Sequence, residues 1–165
     1  MPPTDADPFR FRVPIEVRFR DTDAMGHVNN AVYLTYFEQA RAGYYRAVTG
    51  RSFEGIEENP ESIILAHATV EFRSPAFFGE RLVAQCRATW TGRSSFGLAY
   101  RITTADDSPR GAGRLVAEGE TIQVMFDYAT QRPVRIPDEL LAQLAAFEGG
   151  SIPLRPGRTA EASGG

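Results

Sequence analysis

The sequence has no lysine, one cysteine and two histidines, and these shortages exclude several kinds of chemistry. All 18 basic residues are arginines, which excludes a Schiff-base lysine and the lysine of a phosphate-binding loop. Cys86 allows no intrachain disulfide and no cysteine-based zinc site, and its alternating apolar surroundings predict a buried, inert thiol. His27 and His67 lie far apart in the sequence, so we predict no metal site.

Long apolar runs and an excess of positive charge are also missing. No segment approaches the length of a membrane span, and the first residues lack the basic start and apolar core of a signal peptide. We therefore expect a cytoplasmic protein without a membrane partner. Because 21 acidic residues outnumber the basic ones and give a formal net charge of −3, we also expect no nucleic-acid partner.

The segment 20–41 contains the densest group of reactive side chains, in the order Asp21, Asp23, Gly26, His27, Asn29 and Asn30. Asparagine caps helices well, so a helix is predicted to begin near Asn29 or Asn30 and to continue to Val48. The unpaired N–H groups of its first turn would face the part of the segment that carries Asp23 and His27. A carboxylate beside a cluster of N–H donors indicates acyl chemistry.

The runs DTD, GHVNN and AVYLTYFEQAR in this segment resemble the acyl-CoA thioesterases of the hotdog fold, in the 4-hydroxybenzoyl-CoA thioesterase-like group. The resemblance extends more loosely over residues 14–127. It implies an α+β hotdog fold, in which an antiparallel sheet of about five strands curls around one long central helix. The same runs look like the catalytic segment of plant acyl-ACP thioesterases, except that those enzymes carry a catalytic asparagine where this chain has Met25.

Hydrophobic periodicity predicts one domain over residues 14–148. The helix has apolar side chains on most faces, which indicates burial on most sides. Alternation predicts a first strand from Ile15 to Arg20 and four later strands at 66–72, 82–90, 96–102 and 115–126.

The remaining segments follow from composition and local pattern. A bulge is expected in the last strand around Gly119, and a short amphipathic helix over residues 138–147. Residues 51–61 are predicted to form a loop. Residues 1–13 are predicted to form a flexible N-terminal arm, and 149–165 a disordered tail.

Thioester hydrolysis needs a nucleophile or an activated water, together with donors that stabilise an oxyanion. Asp23 suits the first role, either by direct attack or as a general base, and the sequence leaves both routes open; its alternative role is that of a turn or capping residue. The resemblance places the oxyanion donor at the backbone N–H of Asn30, where a helix N-terminus also favours it. His27 either donates a proton or a hydrogen bond to the substrate, or has only a positional role. Asp21 is predicted to be structural.

Further substrate contacts are predicted within this motif and in a later turn. Gly26, Val28 and Asn29 belong to the same segment and are predicted to contact the substrate. A role as a turn glycine explains Gly26 equally well, and a capping role explains Asn29 equally well. The resemblance assigns contacts with coenzyme A to the turn that carries Arg93, Ser94 and Ser95; the alternative role for Arg93 is that of a solvated surface charge. No cofactor is implied, because coenzyme A is part of the substrate.

The predicted protein is thus an acyl-CoA thioesterase that forms a homodimer or homotetramer, since a curled sheet leaves strand edges exposed. In the family the substrate channel lies at the subunit interface. The alternatives are an acyl-ACP thioesterase and a non-catalytic hotdog protein that binds acyl thioesters.

Overall fold

The computed structural model describes residues 7–51 and 61–157. Its two helices are α1, Val32–Thr49, and α2, Asp138–Glu148. The strands are β1 Phe11–Glu16, β2 Glu61–Phe72, β3 Arg81–Thr91, β4 Ser95–Thr104, β5 Leu115–Asp127 and β6 Arg132–Pro133. Nearly all of the loop predicted over residues 51–61 lies outside the described residues. Neither helix in the described ranges is long and apolar enough to cross a membrane.

All six strands belong to one antiparallel sheet. The five long strands follow the order β1-β3-β4-β5-β2, and the short β6 pairs with β5. The predicted antiparallel sheet with one long helix and a short C-terminal helix is confirmed, with β6 as an additional strand. The strand β2 lies at one edge, where its only partner in the described sheet is β5.

Helix α1 packs one face on the sheet through Tyr33, Tyr36, Phe37, Ala40 and Tyr44. The ring of Phe37 stacks on that of Tyr100 in β4, with centroids 4.4 Å apart. The opposite face is open, and Leu34 is 43% exposed, so the prediction of burial on most sides is wrong.

The bulge predicted around Gly119 is also wrong. Pairing through residues 118–120 is continuous with both β2 and β4. A Cβ at Gly119 would lie 2.1 Å from the carbonyl oxygen of Thr69 and 2.7 Å from the ring of Phe37. The glycine therefore permits close approach between the sheet and α1.

The first strand begins and ends earlier than predicted. It ends at Glu16, and a 3-10 turn follows at Phe19–Asp21 because the carboxylate of Asp21 accepts the backbone N–H of Arg18 at 2.9 Å. Phe19 consequently lies 76% exposed, outside the alternating pattern.

Parts of both predicted terminal segments pack on the sheet. Residues 11–13 belong to β1, and Asp7 forms ion pairs with Arg12 and Arg101 at 2.6 and 2.8 Å. At the other terminus, Thr91 donates its N–H to Pro153 and accepts that of Arg155. Residues 1–6 and 158–165 lie outside the described ranges.

Candidate active site

The segment that carries Asp23 folds back on itself as a narrow antiparallel ladder. The N–H of Asp23 donates to the carbonyl of His27 at 3.0 Å, and the N–H of Asn29 donates to the carbonyl of Asp21 at 2.8 Å. Gly26 closes the turn by donating to the carbonyl of Asp23, with φ of +83°. A Cβ at Gly26 would meet nothing within 4 Å, so its positive φ, rather than close approach, explains the glycine.

Asp21 holds this ladder to the rest of the fold. The side chain is 2% exposed and accepts hydrogen bonds from the backbone and guanidinium of Arg18 and, at 3.0 Å, from the hydroxyl of Tyr36 on α1. Burial alone would raise the pKa of Asp21, but these donors outweigh it and hold the pKa below the ordinary value. These contacts support the structural role predicted for Asp21.

Asp23 has a different environment. It is half-buried, and its Oδ1 accepts the N–H of Met25 at 2.9 Å. Within the described residues, no donor is hydrogen-bonded to Oδ2 or to a ring nitrogen of His27. The His27 ring packs edge-on against Phe77, with centroids 6.4 Å apart. One carboxylate oxygen is thus oriented by the turn, and the other is available to a ligand.

The N–H of Asn30, just before the start of α1, is available to a ligand. The Oδ1 of Asn29 accepts the N–H of Ala31 at 3.0 Å, and its carbonyl accepts that of Val32 at 2.9 Å. The N–H of Asn30 has no acceptor among the residues that the structure describes. Helix α1 begins at Val32, slightly later than predicted, and its N-cap residue is Ala31, with no side-chain cap. Asn29 closes a turn just before the helix, so its predicted capping role is wrong.

A groove of about 330 Å³ opens beside this helix start. It is lined by His27, Val28, Asn30, Tyr33, Phe72, Arg73, Ser74 and Pro75. Tyr33 and Phe72 form an aromatic wall, with ring centroids 5.4 Å apart. Arg73 is paired with Glu118 at 2.6 Å and with Glu71, so its charge is already neutralised locally.

The turn of Arg93, Ser94 and Ser95 lies at the opposite end of the sheet. Glu16, which leads into the Asp23 segment, pairs with Arg81 at the start of β3, whereas this turn follows the end of β3. At about 3.3 Å per residue, the 11 residues of β3 separate the two ends by roughly 35 Å. One chain therefore does not bring the two predicted groups of site residues together.

Arg93 is exposed, and in the described ranges no carboxylate lies within ion-pairing distance of it. Ser95 is buried, and its carbonyl accepts the N–H of Gly92 at 2.7 Å. Arg93 is thus the charged group that this turn offers to an anionic ligand.

The remaining cysteine and histidine differ in environment. Cys86 is buried, and desolvation raises the pKa of its thiol, which confirms the predicted inert thiol. His67 is exposed on β2. Among the described residues no cluster of three or more His, Cys, Asp and Glu side chains suits a metal ion.

Two interactions near the site have no counterpart in the sequence predictions. Tyr36 reaches Asp21 from one turn into α1, and Glu80 forms a buried ion pair with Arg114 at 2.8 Å. The partners in these pairs are 15 and 34 positions apart in the sequence, so no local sequence pattern predicts either contact.

Comparison with known proteins places this geometry in a family. A family model described as the thioesterase-like superfamily matches residues 17–144. The acyl-CoA thioester hydrolase YbgC of Escherichia coli is 28% identical over 133 residues, which cover 81% of this chain and 94% of that protein. The 1,4-dihydroxy-2-naphthoyl-CoA hydrolase of Synechococcus elongatus is 29% identical over 126 residues, or 75% of this chain and 87% of that protein.

A solved structure is also similar. It is a thioesterase of Thermus thermophilus complexed with coenzyme A and zinc, with a TM-score of 0.71 and 31% identity. The alignment covers 93% of this chain and 99% of that chain.

Proposed function

This chain belongs to the thioesterase-like superfamily and is a thioester hydrolase, and we propose that it hydrolyses an acyl-CoA to the free acid and coenzyme A with Asp23 as the reacting carboxylate. One observation carries the assignment of the site: the turn that orients Asp23 leads directly into a helix start whose Asn30 N–H has no acceptor in the described structure. The two components that thioester hydrolysis requires thus lie on the same short segment of the chain.

The reaction follows from these two groups. With Asp23 as a general base, its free oxygen takes a proton from a water whose oxygen attacks the thioester carbonyl. With Asp23 as the nucleophile, the same oxygen attacks and forms a mixed anhydride, which water then hydrolyses. In both routes the N–H of Asn30 stabilises the oxyanion, and the C–S bond breaks to release coenzyme A as the thiolate.

The backbone donor has a direct test in a pair of substitutions at one position. Asn30→Pro removes an N–H that lies just before α1 and has no acceptor in the described structure, whereas Asn30→Ala removes only the side chain. We expect Asn30→Pro to lower kcat by about 10²- to 10³-fold and Asn30→Ala to leave it nearly unchanged. Equal kcat values in two variants with matched thermal transitions would remove Asn30 from the mechanism.

The substrate class is tested by coenzyme A release from a panel of short, long and aromatic acyl-CoAs. Turnover of at least one member supports the proposal and identifies the acyl group. Activity on acyl-ACP alone would indicate an acyl-ACP thioesterase. Tight binding of acyl-CoA without turnover would indicate a non-catalytic protein that binds acyl thioesters.

The proposed assembly is a two-fold pair joined along β2. This edge strand exposes unpaired backbone groups, and Ile64 and Leu65 on it are 38% and 45% exposed. A two-fold axis at this edge reverses the direction of the neighbouring sheet, so that the Arg93 turn of one chain lies at the same end as Asp23 of the other. Arg93 would then meet the phosphates of a coenzyme A whose thioester lies in the groove.

The assembly is tested by the molar mass in solution. We expect at least a dimer for the wild type, and a monomer with lost activity for Leu65→Asp, which places a charge in the proposed contact. An active monomer would refute the shared site.

A further inference from the structure

Glu80 and Arg114 form the most deeply buried ion pair in the described structure, with side chains 1% and 26% exposed. One oxygen of Glu80 accepts the Phe77 N–H at 2.9 Å, and the other accepts from Arg114 and, at 2.9 Å, from the hydroxyl of Ser108. A carboxylate buried in this way requires such donors, because burial without them is costly. The hydrogen bonds and the guanidinium outweigh burial and hold the pKa of Glu80 below its ordinary value.

Arg114 binds the first residues of the connector between β2 and β3, and Glu80 binds a later residue of it. Its Nη1 donates to the hydroxyl of Ser74 at 2.8 Å and to the carbonyl of Pro75 at 2.5 Å. Glu80 binds the connector at Phe77, so the ion pair clamps residues 74–80 at two points.

This connector in turn fixes the candidate active site. The carbonyl of Ala76, which lies between the two clamped points, accepts the N–H of Val28 at 2.8 Å. Phe77 forms a β-bridge with His27 and packs against its ring. Ser74 and Pro75 also form one wall of the groove. The position of the His27–Val28 segment therefore depends on where the clamp holds Ala76 and Phe77.

We propose that Glu80 and Arg114 are positioning residues that set the placement of His27, Asp23 and the Asn30 N–H through the 74–80 connector. The catalytic part of this inference rests on the proposed function. Neither side chain touches the substrate in this account, so their substitution should affect kcat through geometry more than it affects KM.

The chain offers a matched control for this pair. Asp7 and Arg101 form an ion pair of the same length, 2.8 Å, with side chains 17% and 31% exposed. Arg101 lies on β4 between Tyr100 and Ile102, which face α1, so it occupies the opposite face of the sheet. Arg101→Gln therefore removes a comparable ion pair away from the groove.

The test compares Arg114→Gln with Arg101→Gln in kcat, KM, thermal midpoint and hydrogen exchange of the Val28 amide. We expect similar losses of thermal midpoint, but a 10- to 100-fold loss of kcat, roughly, in Arg114→Gln alone. The Val28 amide should exchange about tenfold faster or more in that variant alone. Arg114→Lys should restore the thermal midpoint better than kcat, because one ammonium does not reproduce the two-sided fork of the guanidinium.

Unchanged kcat and unchanged Val28 exchange in folded Arg114→Gln would overturn the proposal, as would equal effects in both variants. If Arg114→Gln does not fold, Glu80→Gln decides by the same measurements, since its amide oxygen still accepts the Phe77 N–H. If the wild type hydrolyses no acyl-CoA, the proposed function fails, and the Val28 exchange still tests the clamp.

Discussion

Tyr36→Phe tests how the Asp23 segment is held against the long helix. The substitution keeps the ring and removes a hydroxyl that donates to the buried carboxylate of Asp21 at 3.0 Å. A hydrogen bond to a charged group contributes about 1.5–3 kcal/mol. Because Asp21 keeps its donors from Arg18, we expect the lower part of that range, about 1.5–2 kcal/mol. For a chain of this size, that loss lowers the thermal midpoint by roughly 3–8 °C.

The pH dependence of the free energy of unfolding provides a second test of the Tyr36–Asp21 hydrogen bond. The pKa of Asp21 is lowered in the folded state from an ordinary value of 3.8, so its contribution to stability is fully present above that value. It is lost as the pH falls through the lowered folded pKa. The difference between wild type and Tyr36→Phe should therefore stay constant from about pH 7 to about pH 5 and shrink at lower pH.

The assay is denaturant unfolding of both proteins, with Tyr128→Phe as the control. Tyr128 is half-buried, and no partner of its hydroxyl is present in the described ranges, so its loss should change the free energy of unfolding by less than about 0.5 kcal/mol. A loss in Tyr36→Phe no larger than that of the control would refute the reasoning.

Two further substitutions test the packing of the fold and the binding of the substrate. Gly119→Ala should destabilise the protein by about 2–4 kcal/mol, because the added Cβ meets the Thr69 carbonyl. A thermal scan checks this loss against the control Gly150→Ala, where a Cβ meets nothing within 4 Å, and equal thermal midpoints of the two variants would contradict the prediction. Arg93→Ala should raise KM for acyl-CoA about tenfold at unchanged kcat, because it removes a charge-assisted contact with phosphate. The same KM in Arg93→Ala and in wild type would exclude the turn from the substrate site.

The parts of the site that are close in sequence were predictable. The turn around Gly26 depends on residues within a few positions and follows from local backbone preferences. The burial of Cys86 was predictable from the alternation of β3, because a period of two separates the buried face of the strand from its open face.

Features that depend on the burial of particular side chains and on strand order were not predictable from the same patterns. Alternation suggested that the first strand continues to Arg20, but the buried Asp21 carboxylate captures a backbone N–H and ends it. The pattern at Gly119 suggested a bulge, since a residue without a side chain gives no sign of the ring that packs on it. The separation of Arg93 from Asp23 depends on strand order, which periodicity does not encode.

The most direct test of the central claim is coenzyme A release by wild type, Asp23→Asn and Asp106→Asn on the best acyl-CoA of the panel. Asp106 is an exposed loop carboxylate and serves as the control. We expect Asp23→Asn to keep the thermal transition of the wild type and to lose about 10²- to 10⁴-fold in kcat, while Asp106→Asn retains full activity. Wild-type turnover in folded Asp23→Asn would contradict the account and reduce Asp23 to a turn residue.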